Sequence, residues 1–227
     1  MEDGGRLRLK RAVRYTMSLI VLMWCVKLLE TASGYDFSGL GILPRTLTGS
    51  VGILTAPFIH GDFFHLFSNT IPLMLLGVGI FYFHDKVALY VVLIIYFMTG
   101  VWVWMMARDA YHIGASGLVY GLLFYLLVSG FISRSRHALA ISFVILVLYG
   151  GGFAYGLIPR GDGISWESHL MGAISGVFCA IYFRKVVRPA QATEHEITYS
   201  YTYIEKKPDD PSEVYTYTYR NSSSDDR

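Results

Sequence analysis

The stretch H-I-G-A-S-G-L-V-Y-G-L-L-F-Y-L-L, residues 112–127, sets a hydroxyl, Ser116, between Gly114 and Gly117 at the mouth of an apolar run. Two uses fit these residues. Small side chains let helices approach closely in a bilayer, and a serine at a helix start lies beside backbone N–H groups that have no intrahelical partner. The stretch by itself leaves both open. It does set the kind of fold, because the segment behind the serine stays apolar for about the length that a spanning helix needs.

Five more runs of this kind flank it. The six cover about residues 14–31, 64–83, 87–107, 116–132, 138–156 and 167–183, each ending at polar or charged residues. A hydrocarbon core of ~30 Å takes about 20 helical residues, so the fourth and sixth runs are at the short end. The composition agrees: 53% of the 227 residues are hydrophobic and only 16% are charged, against about a quarter in soluble domains. The expected fold is an all-α polytopic membrane protein embedded in a lipid bilayer. A net charge of +2, with the basic residues lying between the runs, does not suggest a nucleic-acid partner. Cys25 and Cys179 both lie inside apolar runs and read as small core hydrophobes.

Lysine and arginine set the orientation. Arg6, Arg8, Lys10, Arg11 and Arg14 precede the first run, Lys86 follows the second, Arg134 and Arg136 follow the fourth, and Arg184, Lys185 and Arg188 follow the sixth. The opposite loops hold Arg45, Arg108 and Arg160. Both termini are therefore expected on the cytoplasmic side, with the plasma membrane as the expected location. The first outer loop, about 32–63, is expected in or on the outer leaflet, and the fifth, I-P-R-G-D-G-I-S-W-E-S, reads as mobile. The chain divides into a basic N-terminus (1–13), a six-helix domain (14–185) and a tail (186–227). In the tail, T-Y-S-Y-T-Y-I-E and E-V-Y-T-Y-T-Y-R alternate with period two around K-K-P-D-D-P-S, which predicts either a β-hairpin or disorder.

Polar residues inside a membrane are costly, so each raises a functional question. H-G-D-F-F-H-L-F-S-N opens the second run with His60, His65 and Asn69, Ser116 opens the fourth, and W-E-S-H-L-M-G-A-I-S-G opens the sixth with His169. All three clusters lie at the outer ends of inward-running helices. Ser116 stands 18 residues before Arg134, His169 15 before Arg184 and Asn69 16 before Asp85. At 1.5 Å per residue these are heights of roughly 27, 22 and 24 Å above the cytoplasmic boundary, close enough for one shallow pocket. Gly117 and Gly121 in the fourth run, with Gly172 and Gly176 in the sixth, form two G-x-x-x-G pairs beside the polar residues.

Each residue also has a plain structural reading: a packing serine, a histidine bonded to a loop carbonyl, an interhelical asparagine. Taken together at one depth they favour chemistry. Ser116 is a nucleophile if a base takes its proton, and His169 is such a base. His65 and Asn69, one turn apart, are side-chain donors for an oxyanion, joined by the Ser116 N–H. His60 and His65 find no further ligand set, so no metal or other cofactor is expected. His84, His112, His137 and His195 read as interfacial or tail residues, and Glu167 is left out of any triad because i and i+2 point to different helix faces.

These residues, H-G-D-F-F-H-L-F-S-N, G-A-S-G and S-H-L-M-G-A-I-S-G in this order, resemble the rhomboid family of intramembrane serine proteases. The resemblance covers about residues 14–185 and not the tail. It implies a six-transmembrane-helix rhomboid-like bundle, transmembrane protein substrates entering beside the fifth helix, and a serine–histidine dyad with no acidic third member. Carried over by position, Ser116 is the nucleophile and His169 the base. His65, Asn69 and the Ser116 backbone bind the oxyanion, and Gly114 and Gly117 frame the nucleophile. Tyr120 packs on the base, and His60 is a further motif histidine. The tryptophan–arginine pair of many rhomboid first loops is not evident; L-G-I-L-P-R-T is the nearest arginine context. A non-catalytic rhomboid-like client binder is the rival, and it predicts a missing dyad residue. A small transporter is a second rival, and it predicts charged or broken helices near the midplane.

Overall fold

The computed structural model describes residues 2–159, 163–187, 200–202 and 216–218. The tip of the fifth loop and most of the tail lie outside them. The chain is helical: α1 (Glu2–Ser33), α2 (Gly52–Thr55), α3 (Phe63–Phe83), α4 (Ala88–Met106), α5 (Ser116–Ser133), α6 (Arg136–Gly156), α7 (Trp166–Tyr182) and α8 (Arg184–Val187). Among the described residues, α1 from Gly4, α3, α4 and α5 are long and apolar enough to cross a membrane. In the tail, Ser200–Thr202 (β1) pairs antiparallel with Thr216–Thr218 (β2), with Tyr201 opposite Tyr217.

α1 starts at Glu2, well ahead of the apolar run. Arg6, Leu7, Arg8, Leu9, Lys10 and Arg11 are good helix formers, so the charged approach joins the helix rather than preceding it. α1 packs on α3 through polar and small residues. Trp24 Nε1 donates to Thr70 Oγ1 at 3.1 Å, and a Cβ on Gly77 would sit 2.7 Å from the Thr16 methyl. Such contacts hold helices together where lipid removes the hydrophobic drive. The first outer loop forms short turns at Ser38–Leu40, Thr48–Val51 and Ala56–Phe58, and α2 lies against α4, where a Cβ on Gly100 would meet Ile53. Arg45, in the left-handed region at φ 57°, donates from its backbone N to Trp104 O at 2.9 Å and from Nη1 to Ala107 O at 2.7 Å.

At the centre, α5 is buried along most of its length and lies against α7. The two G-x-x-x-G pairs face one another. A Cβ on Gly172 would run into the Gly117 carbonyl, and one on Gly176 into that of Gly121. Returning the contact, Cβ atoms on Gly117 and Gly121 would sit 3.0 and 3.1 Å from the carbonyls of Ser168 and Gly172. α4 joins the pair through Thr99 Oγ1 to Ser175 Oγ at 3.4 Å.

A side chain at Gly172 meets backbone, which has no rotamer to yield. Gly172→Val is expected to cost about 1–3 kcal/mol or more, whereas Gly39→Ala, at a glycine with open space around it, is expected to leave stability unchanged. Thermal unfolding of both variants in detergent micelles checks this; equal midpoints would contradict the backbone-to-backbone packing.

Candidate active site

Ser116 is the first residue of α5, delivered by the loop that follows α4. Gly114 takes φ +101°, a conformation L side chains rarely adopt, and its N–H donates to Ala56 O at 2.9 Å. A Cβ there would also stand 2.8 Å from the His65 ring. No side chain caps α5. Its first N–H groups therefore lie at the positive end of the helix dipole, next to the serine hydroxyl.

His169 lies on the first turn of α7, buried, with its ring fixed on three sides. Nε2 is 2.8 Å from Ser116 Oγ, Nδ1 is 2.8 Å from the carbonyl oxygen of Gly156, and the ring stacks on Tyr120 with centroids 4.3 Å apart and planes at 7°. A carbonyl only accepts, so Nδ1 must carry the ring proton. Nε2 is then the acceptor for the serine hydroxyl, which is the tautomer a general base needs. Gly156 is the last residue of α6, and a Cβ there would sit 2.7 Å from Nδ1, so a glycine is what lets this carbonyl reach the ring.

The third wall comes from α3. Asp62 caps it, accepting from His65 N at 2.7 Å, and this backbone bond holds the Asp62 carboxyl below the usual carboxylate range. One turn on, Asn69 Nδ2 donates to His65 O at 3.0 Å, which spends one of its two amide protons and leaves the other. Ser116, His169, Tyr120, His65 and Asn69 line one open cavity of about 540 Å³, with Tyr111, Ile113 and Ile164 also in its walls.

His60 stands behind this wall. Its ring meets that of His65 edge-on at 5.0 Å, and Nε2 accepts from Ala115 N at 3.4 Å, one residue before Ser116. Its backbone is held from α1: Lys27 Nζ donates to His60 O at 2.8 Å, Gly61 O at 3.0 Å and Glu30 Oε2 at 2.7 Å, satisfying all three ammonium protons. Burial, with the neighbouring His65 and Lys27 charges, pushes the His60 pKa down to about 3. The ring therefore stays neutral.

Ser116, His169, Tyr120, His65 and Asn69 thus meet around one cavity. Gly114 and His60 touch its walls from behind, and Gly117 sits in the α5–α7 contact. The sequence reading missed four contributors. The Gly156 carbonyl has no side-chain signature. Lys27 and Glu30 lie inside the first apolar run, where a charged pair of this kind was visible but unused. His112, read as interfacial, is buried and bridges two elements.

A family model for the rhomboid domain matches residues 48–186. The chain belongs to the rhomboid family. Its relatives include uncharacterized proteins of Mycobacterium tuberculosis and Mycobacterium bovis, each 33% identical over 185 residues, 78% of this chain and 77% of theirs. An uncharacterized protein of Mycobacterium leprae is 32% identical over 202 residues, 84% of this chain and 79% of its own. As a rhomboid with several apolar helices, the chain is an integral membrane protein of a family of intramembrane serine proteases.

The His60 pKa makes this rhomboid's stability depend on pH. Above an unfolded-state pKa near 6.5 the ring is neutral in both states; as pH falls toward about 3 only the unfolded chain takes up the proton. His60 is expected to remove about 1.4 kcal/mol of stability per pH unit across that window. Unfolding measured from pH 8 to 5 should therefore fall less steeply for His60→Gln than for the parent, and parallel curves would contradict a buried neutral ring.

Proposed function

We propose that this rhomboid is an intramembrane serine endopeptidase that hydrolyses peptide bonds in or near the transmembrane segments of its substrates. The observation that carries the reading is the ring of His169, with Nε2 at 2.8 Å from Ser116 Oγ and Nδ1 engaged by Gly156 O. In this reading α1 and α3 to α7 are six spans, both termini are cytoplasmic, and the cavity opens to the outer side of the plasma membrane.

The chemistry follows from the atoms present. Ser116 Oγ adds to the scissile carbonyl carbon while its proton passes to His169 Nε2. The new oxyanion is met by the Ser116 N–H, the spare Asn69 amide proton and the His65 ring. The tetrahedral adduct collapses, the C–N bond breaks, and the imidazolium returns the proton to the leaving amine. Water then gives its proton to Nε2 as its oxygen adds to the acyl carbon. This second adduct collapses, the ester bond to Oγ breaks, and the imidazolium returns the proton to Oγ, which frees the acid product and restores Ser116 and the neutral base. Stacked on Tyr120 and bonded to Gly156 O, His169 holds its orientation through both steps without a carboxylate. Gly114 and Gly117 shape the turn and the close α5–α7 approach, and His60 supports the oxyanion side. No metal or other cofactor takes part.

Purified protein reconstituted with a transmembrane substrate tests this. Ser116→Ala and His169→Ala are each expected to lower kcat by about 10³-fold or more, from measurements of product bands against time. Cleavage at the parent's rate by either variant would refute the assignment.

A further inference from the structure

We propose that Arg108, Glu167 and His112 are positioning residues that fasten the start of α7 to the loop delivering Ser116, and so set the distance between Ser116 and His169. The proposal rests on the dyad reading above. It starts from the end of α7 at which the glycine packing stops. The glycine contacts fix α7 to α5 from Ser168 and Gly172 downward. His169, however, lies on the first helical turn, next to a long loop, where helices have unpaired backbone groups and open most readily.

Residues 164, 165 and 167, which precede His169, are all tied to the loop after α4. Arg108 Nη2 donates to Ile164 O at 2.7 Å, and its Nη1 lies 3.4 Å from Glu167 Oε2. The Arg108 backbone N–H donates to Glu167 Oε1 at 3.4 Å. His112 Nε2 meets Arg108 O at 3.1 Å, and its Nδ1 lies 2.6 Å from Oγ of Ser165, the residue capping α7. Ser165 Oγ in turn lies 2.6 Å from Ser168 Oγ. The Arg108 carbonyl only accepts, so Nε2 donates to it, and in the neutral ring, which burial favours by lowering the His112 pKa, Nδ1 accepts from the Ser165 hydroxyl.

The loop that supplies these groups is itself fixed. Ile42 and His112 exchange both backbone hydrogen bonds at 2.9 Å, and Arg45 holds the carbonyl of Ala107. Glu167 is only 4% exposed, and a carboxylate buried so far is costly unless paired. Both of its oxygens are directed to Arg108, while the Nδ1 of His169, two residues on, is taken by Gly156. The carboxylate is therefore engaged at the helix start, with no hydrogen bond to the base ring. A reacting pair displaced by about 1 Å loses on the order of 10²-fold in rate, so a clamp of this kind reads out in kcat.

The test uses Glu167→Gln, Arg108→Gln, the double variant and His112→Gln in the full-length reconstituted protein. Each single change is expected to lower kcat 10- to 100-fold with KM within about twofold. The Glu167 and Arg108 double variant should be no slower than the slower single, because both remove one interaction. Hydrogen exchange at the amides of residues 166–170 is expected to speed up in each variant, a readout that needs no substrate. Exchange unchanged at these amides, parental kcat in the folded variants, a loss confined to KM, or losses that multiply in the double would each overturn the clamp. A parent that shows no Ser116-dependent cleavage would overturn the catalytic reading instead, with the exchange data still deciding the clamp.

Discussion

The contact on which this molecule depends is backbone against backbone, where α5 and α7 meet through Gly117, Gly121, Gly172 and Gly176. In a bilayer the hydrophobic effect does not press helices together, so close approach and polar contacts carry the association. The approach has a chemical consequence. With no Cβ between the two helices, Ser116 at the head of one comes within 2.8 Å of His169 on the other. Had the helices been held apart by even one layer of methyl groups, the hydroxyl and the imidazole would lie beyond hydrogen-bond reach.

Around that contact, several of the groups that shape the site are held by partners from other elements. The base is oriented by a backbone carbonyl of α6 and an aromatic ring of α5. The loop before α3 is held by an ammonium of α1, and the loop before α5 by turns of the first outer loop. A carbonyl orients imidazole as a carboxylate does, fixing the tautomer, but adds no full negative charge to stabilise the imidazolium. That arrangement suits a site in a low-dielectric setting, where a second buried ion would be costly unless it were fully paired. Among the described residues, the buried carboxylate nearby, Glu167, is paired with Arg108.

Much of this was legible in the sequence because membranes penalise polarity. A serine, two histidines and an asparagine at the heads of apolar runs stand out, and a rise of 1.5 Å per residue is enough to place them at one level. The G-x-x-x-G pairs told which helices meet. Other parts were hidden for physical reasons. The Gly156 carbonyl is a main-chain atom, present at every residue and marked by none. Lys27 and Glu30 lie inside the first apolar run, and only the fold shows the ammonium reaching the His60 and Gly61 carbonyls. His112 and Arg108 sit in a loop whose partners lie more than 50 residues away, so no local pattern announces them. The start of α1 at Glu2 was missed because apolar periodicity was used as the boundary, whereas charged residues extend a helix readily.

The account stands most directly on whether Ser116 is a nucleophile activated by His169. The decisive measurement is mass-spectrometric mapping of the adduct left by a fluorophosphonate probe on the native protein in micelles. The account predicts a single adduct on Ser116 that forms readily in the parent and is lost in His169→Ala. An adduct on a different serine, or one on Ser116 that forms equally fast without His169, would contradict it.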